Sequence, residues 1–175
     1  MREQRVISRA LAVLCLLLFS AYSAASENLP KGIMKLDGRA APALLLDDMD
    51  GEPWDIGEAR GRWVFVHFWA AWCGPCRREM PTIQAIYPQF DAGELEIVII
   101  NTAESEDTVF EFLAAVAPDL NPLMDKDGLV TEHWQPRGLP ATFLVDPAGR
   151  LQYLALGGRP WDAPEYMRFL KRLIE

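Results

Sequence analysis

The chain has 175 residues, 50% hydrophobic and 24% charged, which suits one globular domain with a substantial core and argues against two. Its formal net charge of -8 argues against nucleic acid and anionic membrane surfaces as partners. Three cysteines and two histidines are too few for a disulfide scaffold, and setting Cys15 aside leaves too few thiols for an ordinary structural zinc site.

In chain order, Arg2, Arg5 and Arg9 precede an apolar run over residues 10–19, and small residues follow through Ala25. That order predicts a signal peptide over 1–25, or a signal anchor if it is retained, and a periplasmic or otherwise extracytoplasmic location. The apolar run is shorter than the roughly 20 residues a spanning helix needs. Cys15 follows Leu14 rather than a small residue, which argues against a lipoprotein site. Residues 26–39, with Pro30, Gly32 and Gly38, read as a linker into a domain spanning 40–175.

Residues 43–46 and 52–56, on either side of the turn-like stretch 47–51, predict an N-terminal β-hairpin. The apolar run 63–69 predicts a buried strand, delivering Trp72-Cys73-Gly74-Pro75-Cys76 to a helix start. Ile83, Ile86, Tyr87 and Phe90 continue that helix at helical spacing, with a kink expected at Pro81. Residues 95–100 form a continuous β-branched run typical of a strand buried on both faces. Ser105 can cap a helix whose Val109, Phe112, Leu113 and Val116 make one apolar stripe, ending near Pro118. A short strand at 122–124, a helical turn at 129–134 and a hairpin, 141–145 and 151–156 around an Asp146-Pro147-Ala148-Gly149 turn, follow. Asp162 with Glu165 resembles a capping box opening a last helix, with Tyr166, Phe169, Leu170 and Leu173 facing inward. Together these elements predict an α/β domain: a mixed sheet flanked by helices on both faces.

The chemistry lies in the two cysteines. At the helix start, unpaired N–H groups and the macrodipole favour a thiolate on Cys73, while Cys76 lies one turn deeper on the same face. Cys73 would attack a disulfide and Cys76 would resolve the mixed disulfide. Pro75 suits the first turn because its missing N–H would have had no partner there. The expected redox centre is therefore the Cys73–Cys76 pair itself, with no other cofactor and no metal.

The strand, WCGPC and the Gly138-Leu139-Pro140-Ala141-Thr142-Phe143 segment resemble the thioredoxin superfamily across residues 40–175. The leader, the Cys76-Arg77-Arg78-Glu79-Met80-Pro81 continuation and a strand-helix insert near 101–135 resemble its TlpA/ResA-like periplasmic members. The resemblance implies a thioredoxin-like fold and a thiol:disulfide oxidoreductase, with a cis Pro140 that presents the Leu139 backbone to an extended substrate. It also implies that Glu79 takes part in proton transfer to and from Cys76. Trp72 is expected to offer an apolar contact to substrate, and Phe65, Phe68 and Trp69 to pack in the core.

His67 departs from the pattern, because thioredoxins proper carry a buried Asp six residues before the first cysteine; it is an alternative proton-transfer residue, whereas His133 is expected at the surface. The expected partners are protein disulfides or dithiols and a membrane thiol-reducing protein. The shared Gly-Pro dipeptide tilts the direction toward reduction, in cytochrome c maturation or at copper-site cysteines. A net oxidant or isomerase stays open, and the rival from another class is a copper-binding chaperone using Cys73, Cys76 and a histidine.

Overall fold

A computed structural model describes residues 28–175. The strands are β1 (Ile33–Lys35), β2 (Leu45–Asp47), β3 (Pro53–Asp55), β4 (Trp63–Trp69), β5 (Leu95–Thr102), β6 (Leu123–Asp125), β7 (Ala141–Val145) and β8 (Leu151–Leu156). The helices are α1 (Gly74–Ile86), α2 (Glu106–Val116), α3 (Leu129–Trp134) and α4 (Pro164–Ile174). Among the described residues, the main sheet has the order β1-β8-β7-β4-β5-β6. β4 pairs parallel with β5 and antiparallel with β7, so the sheet is mixed as expected. β2 and β3 form the separate N-terminal hairpin.

The two-residue period of β4 sorts its side chains between two cores. Phe65 and Trp69 join Met80, Ile83 and Ile86 of α1, Val109 and Phe112 of α2, and Phe169 and Leu170 of α4. Val64, Val66 and Phe68 face the other way, into a cluster with Phe143, Trp134 and Leu44. Trp134 of α3 packs at 5.5 Å from Phe68 and 5.3 Å from Phe143, ring centre to ring centre. His67 shares the parity of Phe65 and Trp69 and so points toward α1.

Three expectations are corrected. Residues 33–35, read as part of a linker, form β1: Ile33 is buried and the strand pairs with β8, covering an edge that would otherwise be open. The capping box is not formed, because Pro164 takes the first helical position and moves the cap to Ala163, which makes no side-chain cap bond. The third concerns Tyr87 and Phe90, read as continuing α1: the helix ends at Ile86, Tyr87–Gln89 form a 3-10 turn with Pro88 in it, and Phe90 is already extended. The stretch read as a leader, 1–25, lies outside the described residues.

At the far edge, Asp125 is fully buried at the end of β6 and organises α3. One carboxylate oxygen accepts from Val130 N (3.2 Å), the other from Thr131 N (2.7 Å) and the Thr131 hydroxyl (2.6 Å). Asp125→Ala removes all three acceptors and should lower unfolding stability by about 2–4 kcal/mol in urea titrations. A loss below about 0.5 kcal/mol, the usual range of a neutral surface change, would mean that Asp125 does not hold α3 in place.

Candidate active site

The site forms where β4 runs out and α1 begins. Cys73 is the N-cap of α1 in extended conformation, and its sulfur accepts from Cys76 N at 3.3 Å. The two cysteines are joined as a disulfide with their Cα atoms 5.2 Å apart. Cys73 keeps 5% of its surface while Cys76 keeps none, so an incoming sulfur reaches Cys73 first. Pro75 lies in the first turn, where no N–H is needed.

The loop before the disulfide is held from the side. Glu104 accepts from Ala71 N at 2.6 Å and from Asn101 Nδ2 at 2.7 Å with the same oxygen. Arg77 donates to the Ala71 carbonyl at 3.1 Å, and its guanidinium lies 4.7 Å from the centre of the Phe112 ring. Trp72, next to the disulfide, remains 70% exposed, too open for a core residue and suited to contact with a partner.

Beneath the cysteines, Glu79 lies one turn beyond Cys76 and is 3% exposed. Its Oε1 accepts from Arg159 N at 3.0 Å and from Trp161 Nε1. Burial pushes the carboxyl up to about 7, against the opposing pull of those two hydrogen bonds and of the Arg159 charge. Gly158 lets the 157–160 loop lie against the helix start, because a Cβ there would come within 3.3 Å of the Pro75 carbonyl oxygen and 3.8 Å of Glu79 Oε2. A cavity of about 300 Å³ lies beside this carboxyl, lined by Pro75, Arg78, Glu79, Thr82, Gly158, Arg159 and Pro160.

His67 is fully buried and pairs across the strands with Thr142, its Nδ1 lying 2.9 Å from the threonine hydroxyl. Its Nε2 is 4.0 Å from Glu79 Oε2. Burial drives this histidine down to about 3, so near neutrality it carries no charge and makes no ion pair with Glu79. Pro140 is buried and follows a cis bond from the half-buried Leu139. β7 begins at Ala141, opposite Phe68, which puts this bond at the end of the sheet where β4 leaves for Cys73.

Of the residues expected from sequence, Cys73, Cys76, Glu79 and His67 converge, Trp72 stands at the rim, and Leu139 and Pro140 lie on the adjoining strand end. His133 is exposed on α3. Among the described residues, no three His, Cys, Asp or Glu side chains come together as a metal site requires. Sequence reasoning missed Thr142, Arg159 and Trp161. Thr142 was legible, since the same alternation that turns Phe143 to one core turns its neighbour toward His67; the other two reach Glu79 from 80 or more residues away and leave no local mark.

A helix-capped disulfide at the end of a central strand, in a mixed sheet flanked by helices, defines a thioredoxin-like thiol:disulfide oxidoreductase. Residues 38–154 match the AhpC/TSA family, and the chain belongs to that family of the thioredoxin superfamily. Its relatives include thiol-disulfide oxidoreductase ResA of Geobacillus thermodenitrificans, 29% identical over 89% of this chain and 90% of that one. ResA of Bacillus subtilis is 30% identical over 84% of this chain and 80% of the relative.

Among solved structures, a protein of Chlorobium tepidum provisionally assigned as thiol:disulfide interchange protein DsbE aligns with a TM-score of 0.70 at 26% identity. The alignment covers 79% of this chain and 97% of that one. The thioredoxin domain of a Bacteroides vulgatus thiol-disulfide oxidoreductase gives a TM-score of 0.65 at 27% identity, covering 78% and 96%.

The raised carboxyl makes a stability prediction. The folded protein holds the Glu79 proton up to about 7 while the unfolded chain releases it near the ordinary 4.5, so Glu79 erodes stability as pH rises between those values. His67 acts in the opposite sense, its contribution being lost as pH falls from 6.5 toward about 3. Glu79→Gln keeps an oxygen for Arg159 and Trp161 but cannot ionise. Relative to wild type, the oxidised variant should therefore gain on the order of 2–3 kcal/mol between pH 4 and pH 8 in urea unfolding. A difference that stays constant with pH would show that Glu79 ionises as freely as a surface carboxyl.

Proposed function

We propose that this chain is an exported reductant of protein disulfides. The observation that carries the dithiol mechanism is the graded burial at the start of α1: Cys73 at the edge, Cys76 enclosed, and a buried carboxyl one turn further on. Cys73 attacks as a thiolate and one substrate sulfur leaves, taking a proton. Cys76 then yields its proton to the Glu79 carboxylate and attacks the Cys73 sulfur, expelling the second substrate thiolate, which is protonated in turn. Two electrons pass to the substrate, whose two thiolates take their protons from solvent, and the enzyme is left as the disulfide with the Cys76 proton on Glu79, from which it returns to solvent.

Trp72 and the Leu139 backbone before Pro140 form the surface on which an extended substrate segment rests. The direction is reductive on the strength of the Gly74-Pro75 dipeptide, and each cycle then requires a membrane thiol-reducing partner to restore the dithiol. The positive, apolar, small-residue order of residues 1–25 supports export, with the chain anchored if that segment is retained. Reduced substrates on this reading are apocytochrome cysteine pairs in cytochrome c maturation or the cysteines of copper sites.

Cys76→Ser tests the assignment, because without the resolving thiol the attack by Cys73 stops at the mixed disulfide. Expressed in an exporting host, the variant should accumulate adducts that survive non-reducing electrophoresis and dissolve on reduction, containing apocytochromes or copper-binding proteins. Adducts with many unrelated secreted proteins would instead mark a net oxidant. Adducts formed by Cys73→Ser in place of Cys76→Ser would reverse the roles of the two cysteines.

A further inference from the structure

His67 and Glu79 are fully and almost fully buried on facing elements, β4 and α1, and each carries one polar atom without a hydrogen-bond partner: Nε2 on the histidine and Oε2 on the glutamate. These two atoms face each other at 4.0 Å. A closure of about 1 Å makes them a hydrogen bond. Oε1 is already taken by Arg159 N and Trp161 Nε1, so Oε2 is the oxygen left to receive a proton. On the other side of the ring, the Thr142 hydroxyl can donate to Nδ1 at 2.9 Å, which leaves the imidazole proton on Nε2, aimed at Oε2.

We propose that His67, set by Thr142, is a positioning residue that donates Nε2–H to Glu79 Oε2 and so holds Glu79 as the carboxylate that takes the Cys76 proton. The proposal rests on Glu79 being that acceptor. It accounts for a histidine at this strand position: an uncharged imidazole supplies a donor to the carboxylate without adding a second buried charge, whereas a carboxyl in its place would compete for the same proton. The low basicity of the buried ring fits a donor rather than a proton carrier. No proton is left on His67 at the end of the step; the one from Cys76 passes to Oε2 and leaves through the cavity beside Gly158.

Several other groups bear on this proton. They are Cys73 and Cys76 on α1, Arg159 in the 157–160 loop, and Tyr166 on α4, which couples electrostatically to both Arg159 and Glu79. None of them is changed in the test. Phe65 lies beside the ring, with centroids 6.1 Å apart.

The test is the pH profile of oxidation of the reduced protein by saturating glutathione disulfide, followed by intrinsic fluorescence from pH 5 to 9, so that the resolving step limits the rate. His67→Leu should move the alkaline-rising limb upward by about one pH unit, making resolution about tenfold slower on that limb with the high-pH plateau retained. His67→Gln, whose amide N–H reaches the Nε2 position, should restore the profile to within about twofold, and His67→Asn, which reaches only the Nδ1 position, should not. Thr142→Val keeps the shape of the threonine and should shift the limb the same way by a smaller amount, which carries the test if His67→Leu does not fold.

An unmoved profile in His67→Leu, or in Thr142→Val where the former is unfolded, overturns the proposal. Restoration by His67→Asn but not by His67→Gln overturns it equally, by assigning the effect to the threonine side. Glu79→Gln separates the two levels: if it leaves the profile unchanged, the acceptor role of Glu79 fails, whereas a profile altered by Glu79→Gln and untouched at His67 defeats the histidine alone.

Discussion

Everything in this molecule depends on the burial of β4 on both faces. Val64 through Trp69 are enclosed between β5 and β7 laterally and between two apolar clusters above and below. A strand so confined cannot slip by one residue, because a slip would exchange the two sets of side chains between the cores. Its end is therefore fixed, and with it the start of α1, the place of Cys73 and the direction in which His67 points. The redox loop inherits its geometry from a core that takes no part in the chemistry.

Two opposing electrostatic environments then lie one helical turn apart. At the start of α1, free N–H groups and the helix dipole favour negative charge on Cys73, and Cys76 N already points at that sulfur. At Glu79, burial disfavours charge and raises the carboxyl to about 7. The proposed two-step exchange uses both, a thiolate favoured at the rim for the attack and a carboxyl balanced near neutrality below it to take the proton of the second thiol. Arg159 and Trp161 keep the balance from tipping fully to the neutral acid, since their hydrogen bonds favour the carboxylate.

The parts of this arrangement that were legible in sequence are those with local signals. Strand β4, the helix-start cysteines, the Ser105 cap on α2 and the hairpin around Asp146 to Gly149 each follow from a motif or a period within about fifteen residues, and each is present. The three-residue strand β1 has no period to read and exists through its pairing with β8. The supposed cap at Asp162 failed because one proline, Pro164, outweighed the side-chain pattern around it. In the site, the sequence supplied Cys73, Cys76, Glu79 and His67 but treated Glu79 and His67 as competitors; only the sheet register and helix packing bring them face to face. The closing of Arg159 and Trp161 over Glu79 comes from a loop that no short-range rule connects to α1.

The central claim is that burial holds Glu79 near neutrality, and carboxyl 13C NMR of the oxidised protein measures this directly. Titrated from pH 4 to 9, with the resonance assigned by its absence in Glu79→Gln, the Glu79 carboxyl should show a midpoint near 7. A midpoint near the ordinary 4.5 would mean that Glu79 is solvated like a surface acid, and the proton-handling role built on its burial would fall.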